Sequence, residues 1–274
     1  MVLVLLTFLI LALLAVPIGY VMGISSLVGL ISMGGTGFLR ILITRFHGGL
    51  NSFLLVAIPF FVLSAEFMNR SGITNLLIDF VNKIIGHLHG GLSHVNIGVS
   101  ILFGTLTGSA VTDTIAIGGI LIPAMKKEGY SGAFSAAVTA TSSVLGPIIP
   151  PSIVMIIFSS MIRETTARSL FAAGIIPGLL MAASLLVISA ILSYRRHYPR
   201  KKRASFKEFL NSAKNAILPL FTPIIILVPI LLGITTVTEA AAMGAFYALI
   251  LGVFVYKTLK LKDIIESAFS AAKF

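Results

Sequence analysis

The chain has 274 residues, 57% of them hydrophobic and 11% charged, with a mean hydropathy of +1.05. Soluble domains average roughly 25% charged residues, so this composition excludes a water-soluble globule and specifies a polytopic membrane protein. The net charge of +11 is not a nucleic-acid surface: Arg195, Arg196, Arg200, Lys201, Lys202, Arg203, Lys207 and Lys214 sit between two apolar runs, the positive-inside pattern of a cytoplasmic loop.

In chain order, the apolar run from Met1 to about Ile31 reads as one retained span kinked near Pro17 or Gly19. It lacks the basic leader of a signal peptide. Ser32 to Gly37 ends it, and Phe38–Phe46, with Arg40 and Arg45, reads as a short amphipathic helix broken at His47-Gly48-Gly49. A second span covers Phe53–Met68, where Glu66 lies four residues before Arg70 and forms a structural ion pair on one helix face. Ile73–Leu88 has helical amphipathic spacing, with Asp79, Asn82 and Lys83 opposite the apolar face, and is expected along the membrane surface. His87, His89 and His94 follow in a glycine-rich stretch with no supporting acid or thiolate beside them, which disfavours a metal site.

Two apolar segments are then interrupted without charge. The first break is Gly104 to Ser109 and the second Ser142 to Ser152. In lipid, unpaired backbone is tolerated only where protein buries it or a watery cavity receives it, and paired interruptions of this kind mark transporter binding sites. Leu92–Met125 is expected as a re-entrant hairpin turning at Gly108-Ser109. Ser131–Ile162 is expected as a crossing helix unwound at its centre, with Pro150 or Pro151 opening its second half. Arg163, Glu164 and Arg168 are placed outside. Ser169–Tyr194 returns inward, Ala216 to about Val237 goes out, and Thr238-Glu239 open a last helix ending at Tyr256. The basic clusters at 126–127, 195–214 and 257–262 then fall on one side, which makes that side and the N-terminus cytoplasmic. The fold class is therefore all-α and polytopic: about six spans, one re-entrant hairpin, one unwound helix and amphipathic surface helices. A single membrane domain covers 1–274: scaffold and surface arm over 1–90, hairpin and unwound helix as transport core over 91–160, and further scaffold over 161–274.

Half-helices present free N–H groups at their N-termini and free carbonyls at their C-termini. The N-termini near Ser109 and Pro151 suit an anion. Carbonyls around Thr107, Gly146 and Ile149, with hydroxyls of Thr105, Thr107, Ser109 or Ser152, suit a small hard cation such as sodium. Ser109, Pro151 and Ser152 are the substrate-side candidates, and the reading is a cation-coupled carrier of an anionic solute. Asp113, one turn past the tip, either neutralises the cation, relays a proton or complements its helix dipole. No acid–base pair, nucleophile triad or cofactor motif points to an enzyme.

The segment GTLTGSAVTDTIAIGGILIPAMKKEGY resembles the hairpin of the large membrane subunit of tripartite ATP-independent periplasmic (TRAP) transporters, the DctM-like permeases. LGPIIPPSIVMIIF resembles that family's unwound-helix motif, and GHLHGG, LFAAGIIPGLL and TEAAAMGAFYALILGVF match further segments. The tip reads Thr-Gly-Ser where Ser-Gly-Ser is more usual, which keeps a hydroxyl. The resemblance implies an elevator-type carrier in a bacterial or archaeal inner membrane, working with a small four-helix membrane subunit and a periplasmic substrate-binding protein. It implies sodium-driven uptake of an organic acid such as a C4-dicarboxylate or sialic acid. By position it puts sodium at Thr105, Thr107, Gly108, Ser109, Gly146, Ile149 and Pro150. Family members carry a second, inverted repeat whose motifs are missing from 1–274, so this chain is expected as one half of the fold. The alternatives are a standalone ion-coupled anion carrier and a non-transporting fragment that needs the missing half.

Overall fold

The computed structural model describes residues 1–33, 39–162 and 164–273, and the chain divides into two compact units, Met1–Ser52 and Phe53–Phe274. The expected helix end at Gly34 to Gly37, the start at Phe38 and the placement of Arg163 lie outside the described residues.

The first unit contains α1 (Val2–Leu13), α2 (Ile18–Ser32) and α3 (Leu39–Leu50). The single kinked span expected from Met1 to Ile31 is corrected here. Ala15 takes a left-handed φ of 56° and Pro17 cannot continue a helix ladder, so the chain reverses. Helix α2 folds back on α1: a Cβ added to Gly29 would lie 2.8 Å from Val4 Cγ2. Helix α3 runs through His47-Gly48-Gly49 instead of breaking there. Each glycine costs a helix only about 1 kcal/mol relative to alanine.

The second unit opens with a 3₁₀ turn over Phe53–Val56 that leads into α4 (Ala57–Arg70). Then come α5 (Ile73–Ile85), α6 (Gly91–Thr107), α7 (Ala110–Lys127), α8 (Gly132–Ser143) and α9 (Ile153–Met161). The rest is α10 (Ala167–Arg195), α11 (Phe206–Leu232), α12 (Val237–Ile250), continued by a π turn over Leu251–Val255, and α13 (Leu261–Lys273). Among the described residues, four helical stretches are long and apolar enough to cross a membrane: Phe53–Arg70, Ala167–Arg195, Phe206–Leu232 and Val237–Val255. Shorter apolar helices accompany them, as a polytopic membrane protein requires.

Local signals set the helix starts. Thr166 and Ser169 form a capping box on α10, Ser205 and Glu208 one on α11, and Thr236 and Glu239 one on α12. The cap of α12 is thus Thr236, not the expected Thr238, whose hydroxyl instead donates to the Phe53 carbonyl at 3.1 Å. The start of α11 is Phe206 rather than Ala216, because the Ser205–Glu208 box nucleates the helix inside the basic stretch and puts Lys207 and Lys214 on it.

Helix α12 packs on α4 through small residues. Ala57, Ala240 and Ala241 are fully buried in one cluster with Phe61, Phe171 and Ile226. Without a hydrophobic driving force between apolar helices in lipid, such close approach supplies the association energy. At the end of α4, Arg70 reaches Glu66 at 3.3 Å and Glu266 on α13 at 2.6 Å. The Ser270 hydroxyl bonds the other oxygen of Glu66 at 3.0 Å. The pair read from spacing therefore also fastens α13 to α4.

The basic segments converge at one end of this unit. Tyr130, just past α7, stacks on Tyr198 with ring centroids 4.4 Å apart. Lys201 pairs with Glu128, the Gly90 amide donates to the Pro199 carbonyl at 3.2 Å, and Ser212 on α11 donates to Asp79 on α5 at 2.7 Å. Both feet of the α6–α7 pair are thus tied to the basic end. The ends of α9 and α11 and the starts of α10 and α12 meet around Ser159, Arg168, Gly233 and Thr236 at the other end.

Replacing Ala241 with leucine adds three carbons to a filled site and is expected to destabilise the unit by about 1–3 kcal/mol. Thermal unfolding of the purified protein in detergent reads this as a lowered midpoint. Met243→Leu, on the exposed side of α12, serves as the neutral control.

Candidate functional site

Helix α6 ends where Gly108 turns left-handed, φ 59°, and α7 begins at Ser109, whose hydroxyl accepts from the Thr112 amide at 3.4 Å. The first break is therefore only Gly108-Ser109. Gly104 to Thr107, expected within the break, are the last helical turn of α6. The second break is longer: residues 144–152 separate α8 from α9. The expected start of α9 at Pro150 or Pro151 is corrected to Ile153. Ser152 caps it, accepting from the Met155 amide at 3.3 Å and donating to the Pro147 carbonyl at 2.6 Å. A serine at that position satisfies a first-turn amide, which a proline ring cannot do.

The two breaks touch. A Cβ on Gly104 would lie 2.8 Å from Gly146 Cα, and one on Gly108 would lie 2.9 Å from both the Ile153 amide and the Pro151 carbonyl. A Cβ on Gly146 would sit 3.4 Å from the Ser109 carbonyl carbon. Main chain meets main chain here, and glycine permits it. Gly104 and Gly108 lie at small-x-x-x-small spacing, the sequence signal for such an approach.

At this contact the carbonyl oxygens of Thr105, Leu106, Thr107 and Gly108 accept no hydrogen bond from the described residues, and neither do those of Gly146, Ile149 and Pro150. Helix ends leave such acceptors by construction. What is specific to this fold is that two sets meet inside a membrane protein, on residues that are all buried. The side chains contribute less. The Thr105 hydroxyl donates to the Leu102 carbonyl at 2.6 Å, and the Thr107 hydroxyl accepts from the Ser109 amide at 3.3 Å. The donor set is hard oxygen, which fits a small hard cation. On the opposite polarity, the amides of Ala110 and Val111 on α7 and of Ile153 and Val154 on α9 donate to none of the described residues. Pro151, taken from sequence as a substrate-side residue, has no amide hydrogen, so the donors of that half-helix begin at Ile153. Ser109, Pro151 and Ser152 all lie at this contact, with the two serine hydroxyls already engaged as caps.

Asp113 lies one turn into α7 and is fully buried. Neither carboxylate oxygen has a hydrogen-bond partner among the described residues. The α7 dipole contributes at most about 2 kcal/mol to a charge near its N-terminus. Burying an ion costs several kcal/mol, so dipole complementation alone does not account for this residue. Beside it runs a buried polar seam between α6 and α8. Asn96 donates to Thr139 at 2.7 Å, Ser142 donates to Asn96 at 3.2 Å, and the hydroxyls of Ser100 and Ser142 are 3.1 Å apart. This seam was not read from the sequence as part of the site. Its polar positions, four residues apart on α6 and three apart on α8, were the available signal.

The histidines lie apart from this site. His94 Nδ1 is 3.1 Å from the Gly90 carbonyl, and His89 meets Tyr194 edge-on at 5.9 Å.

Residues 5–274 match the family described as Tripartite ATP-independent periplasmic transporter, DctM component. The chain is 40% identical over 250 residues to the sialic acid TRAP transporter large permease protein SiaM of Vibrio cholerae, covering 91% of this chain and 58% of that protein. It is 40% identical over 211 residues to the C4-dicarboxylate TRAP transporter large permease protein DctM of Pseudomonas aeruginosa, covering 77% and 49%. To the ectoine TRAP transporter large permease protein TeaC of Halomonas elongata it is 38% identical over 255 residues, covering 93% and 60%. It thus matches between 49% and 60% of the length of these relatives. The chain belongs to the DctM component family of tripartite ATP-independent periplasmic transporters.

Proposed function

We propose that this chain forms part of the large membrane subunit of a sodium-driven importer of organic acids in a bacterial or archaeal inner membrane. A periplasmic binding protein delivers the solute, and a small four-helix membrane subunit completes the membrane complex. The reading rests on one observation above the others: the free carbonyls at the end of α6 and those of the 146–150 segment face one another across a glycine contact. Thr105, Thr107, Gly108 and Ser109, with Gly146, Ile149 and Pro150, would hold the sodium ion. Bound there, the ion supplies positive charge beside the solute and couples uptake to the sodium gradient.

The free amides of Ala110, Val111, Ile153 and Val154 lie next to the same contact and are suited to a carboxylate. The names of the relatives include sialic acid and C4-dicarboxylate transporters, which supports an organic acid as the solute. We place the basic end on the cytoplasmic side by the positive-inside rule. In the second unit, α4, α10, α11 and α12 cross as single helices and α8–α9 as a broken one. The α6–α7 hairpin enters from the cytoplasmic end. The hairpin and the broken helix, residues 91–160, are the moving transport core, and the helices over 161–274 belong to the scaffold against which it slides.

Gly104→Ala puts a methyl group against Gly146 Cα, a backbone atom that cannot swing aside. In the complete transporter reconstituted in liposomes with its binding protein, the sodium concentration for half-maximal uptake is expected to rise about tenfold or more. Gly119→Ala, where an added Cβ meets nothing within 4 Å, leaves it unchanged. Identical sodium dependence in both variants would remove the tip as the ion site.

Uptake is also expected to require the binding protein, the small subunit and the remainder of the large subunit together. Sodium-dependent accumulation of an organic acid by residues 1–274 alone in liposomes contradicts the proposed assembly.

A further inference from the structure

We propose that Asp113 and Ser143, with Ser100 beside them, form a second cation site about one helical turn beneath the hairpin tip and separate from the main-chain oxygens there. Asp113, Ser100 and Ser143 are each 0% exposed. Both carboxylate oxygens of Asp113 and the hydroxyl of Ser143 have no hydrogen-bond partner among the described residues. Ser143 and Ser100 are the hydroxyls that face the carboxylate. The packing of α7 on α8 explains the meeting. A Cβ on Gly118 would lie 3.0 Å from Thr139 Cγ2, and in this antiparallel pair a step of one turn toward the tip sets Asp113 opposite Ser143.

The seam carries no charge to balance the carboxylate. Its hydroxyl and amide groups are engaged with one another, Thr139 with Asn96, Asn96 with Ser142 and Ser142 with Ser100. Among the described residues, no cationic side chain pairs with Asp113 either. The ion pairs of the described residues involve Arg70, Lys83, Lys201 and Lys262. Lys126 and Lys127 lie at the far end of α7. A buried carboxylate met by two hydroxyls and no counter-charge is costly to hold as an anion, and in membrane proteins such residues mark ion pathways. One carboxylate and two hydroxyls make an oxygen-only set with a single negative charge. That set matches a small hard monovalent ion and leaves a divalent ion half compensated. The Ser143 carbonyl accepts from the Gly146 amide at 3.1 Å, so this seat is mechanically joined to the second break while using none of the tip's ligands.

The experiment measures equilibrium binding of radioactive sodium to the purified, complete transporter, with choline chloride holding ionic strength constant. Asp113→Asn, which keeps the shape and removes the charge, is expected to bind one equivalent fewer than the parent. Ser143→Ala is expected to keep the number and weaken one equivalent about tenfold, the loss of one ligand. It provides the reading if Asp113→Asn does not assemble, which size-exclusion chromatography checks. Gly104→Ala is expected to weaken a different equivalent, so that the double variant with Ser143→Ala shows both losses. Unchanged sodium number and affinity in Asp113→Asn and Ser143→Ala overturn the proposal. It is equally overturned if Asp113→Asn keeps the sodium count and abolishes only a pH dependence of thermal stability, because the carboxylate then holds a proton. Loss of the Gly104→Ala effect alone refutes the tip reading and leaves the Asp113 seat standing.

Discussion

The contact of main chain with main chain at Gly104 and Gly146 is the constraint around which the second unit is arranged. A Cβ on Gly104 would come within 2.8 Å of Gly146 Cα, so no other residue fits without moving a backbone. In a bilayer, interrupted helices survive only where protein shelters their loose ends. Each break here is the shelter of the other. The two-residue turn at Gly108-Ser109 sits against Pro151–Ile153, and the segment at Gly146 sits against Ser109. The free carbonyls and amides that result are the same groups that would burden either segment alone.

Holding that contact requires fixing the feet of the hairpin and the ends of the broken helix. The feet are fixed at the basic end by side chains with both apolar and polar character. Tyr130, Phe134 and Tyr198 stack, Arg196 lies 5.4 Å over the Phe134 ring, and Arg200 donates to the His87 carbonyl at 3.2 Å. Such groups suit a boundary where one side is apolar and the other wet. On α10, glycines at 174 and 178 let the helix lie against the broken segment. A Cβ at Gly174 would be 2.7 Å from the Ile148 carbonyl, and one at Gly178 would be 2.5 Å from Ile149 Cγ1. The segment 144–152 is thus pinned from two sides, by the hairpin tip and by α10, without regular structure of its own.

Much of this was legible in the residues because lipid makes interruptions conspicuous. Gly108-Ser109 and the Gly146 to Ser152 stretch stand out in runs that are otherwise apolar, and the spacing of Glu66 and Arg70 gave their ion pair directly. What failed to show was where helix ends fall when two signals compete. Thr236 and Thr238 are both acceptable caps, and Glu239 at the third helical position decided for Thr236. Pro150 and Pro151 are both acceptable at a helix start, yet the serine after them took the cap. Met1–Ile31 reads as one apolar run because apolar content says nothing about chain reversal. Reversal there depends on the left-handed turn at Ala15, an alanine that no propensity rule marks. The polar seam was hidden for a different reason: Asn96, Ser100, Thr139 and Ser142 lie on separate helices, and only packing brings them together.

That seam bears on how the segments hold together. Polar contacts between membrane helices average about 0.6 kcal/mol each, weak singly but directional. The four residues of the seam join α6 to α8, while α7 packs on α8 through the close approach of Gly118 to Thr139. Hairpin and first half-helix therefore share one internal set of directional bonds. The neighbouring contacts to α4, α5 and α12, by contrast, are made by Phe67, Val81, Val99, Phe103 and Ala248, which are apolar. Apolar packing fixes position through shape alone, whereas a hydrogen-bonded seam also fixes direction. Among the described residues, the apolar contacts of α6 lie toward α4, α5 and α12, whereas its foot is bonded to α10 through the hydroxyls of Ser93, Ser189 and Ser193.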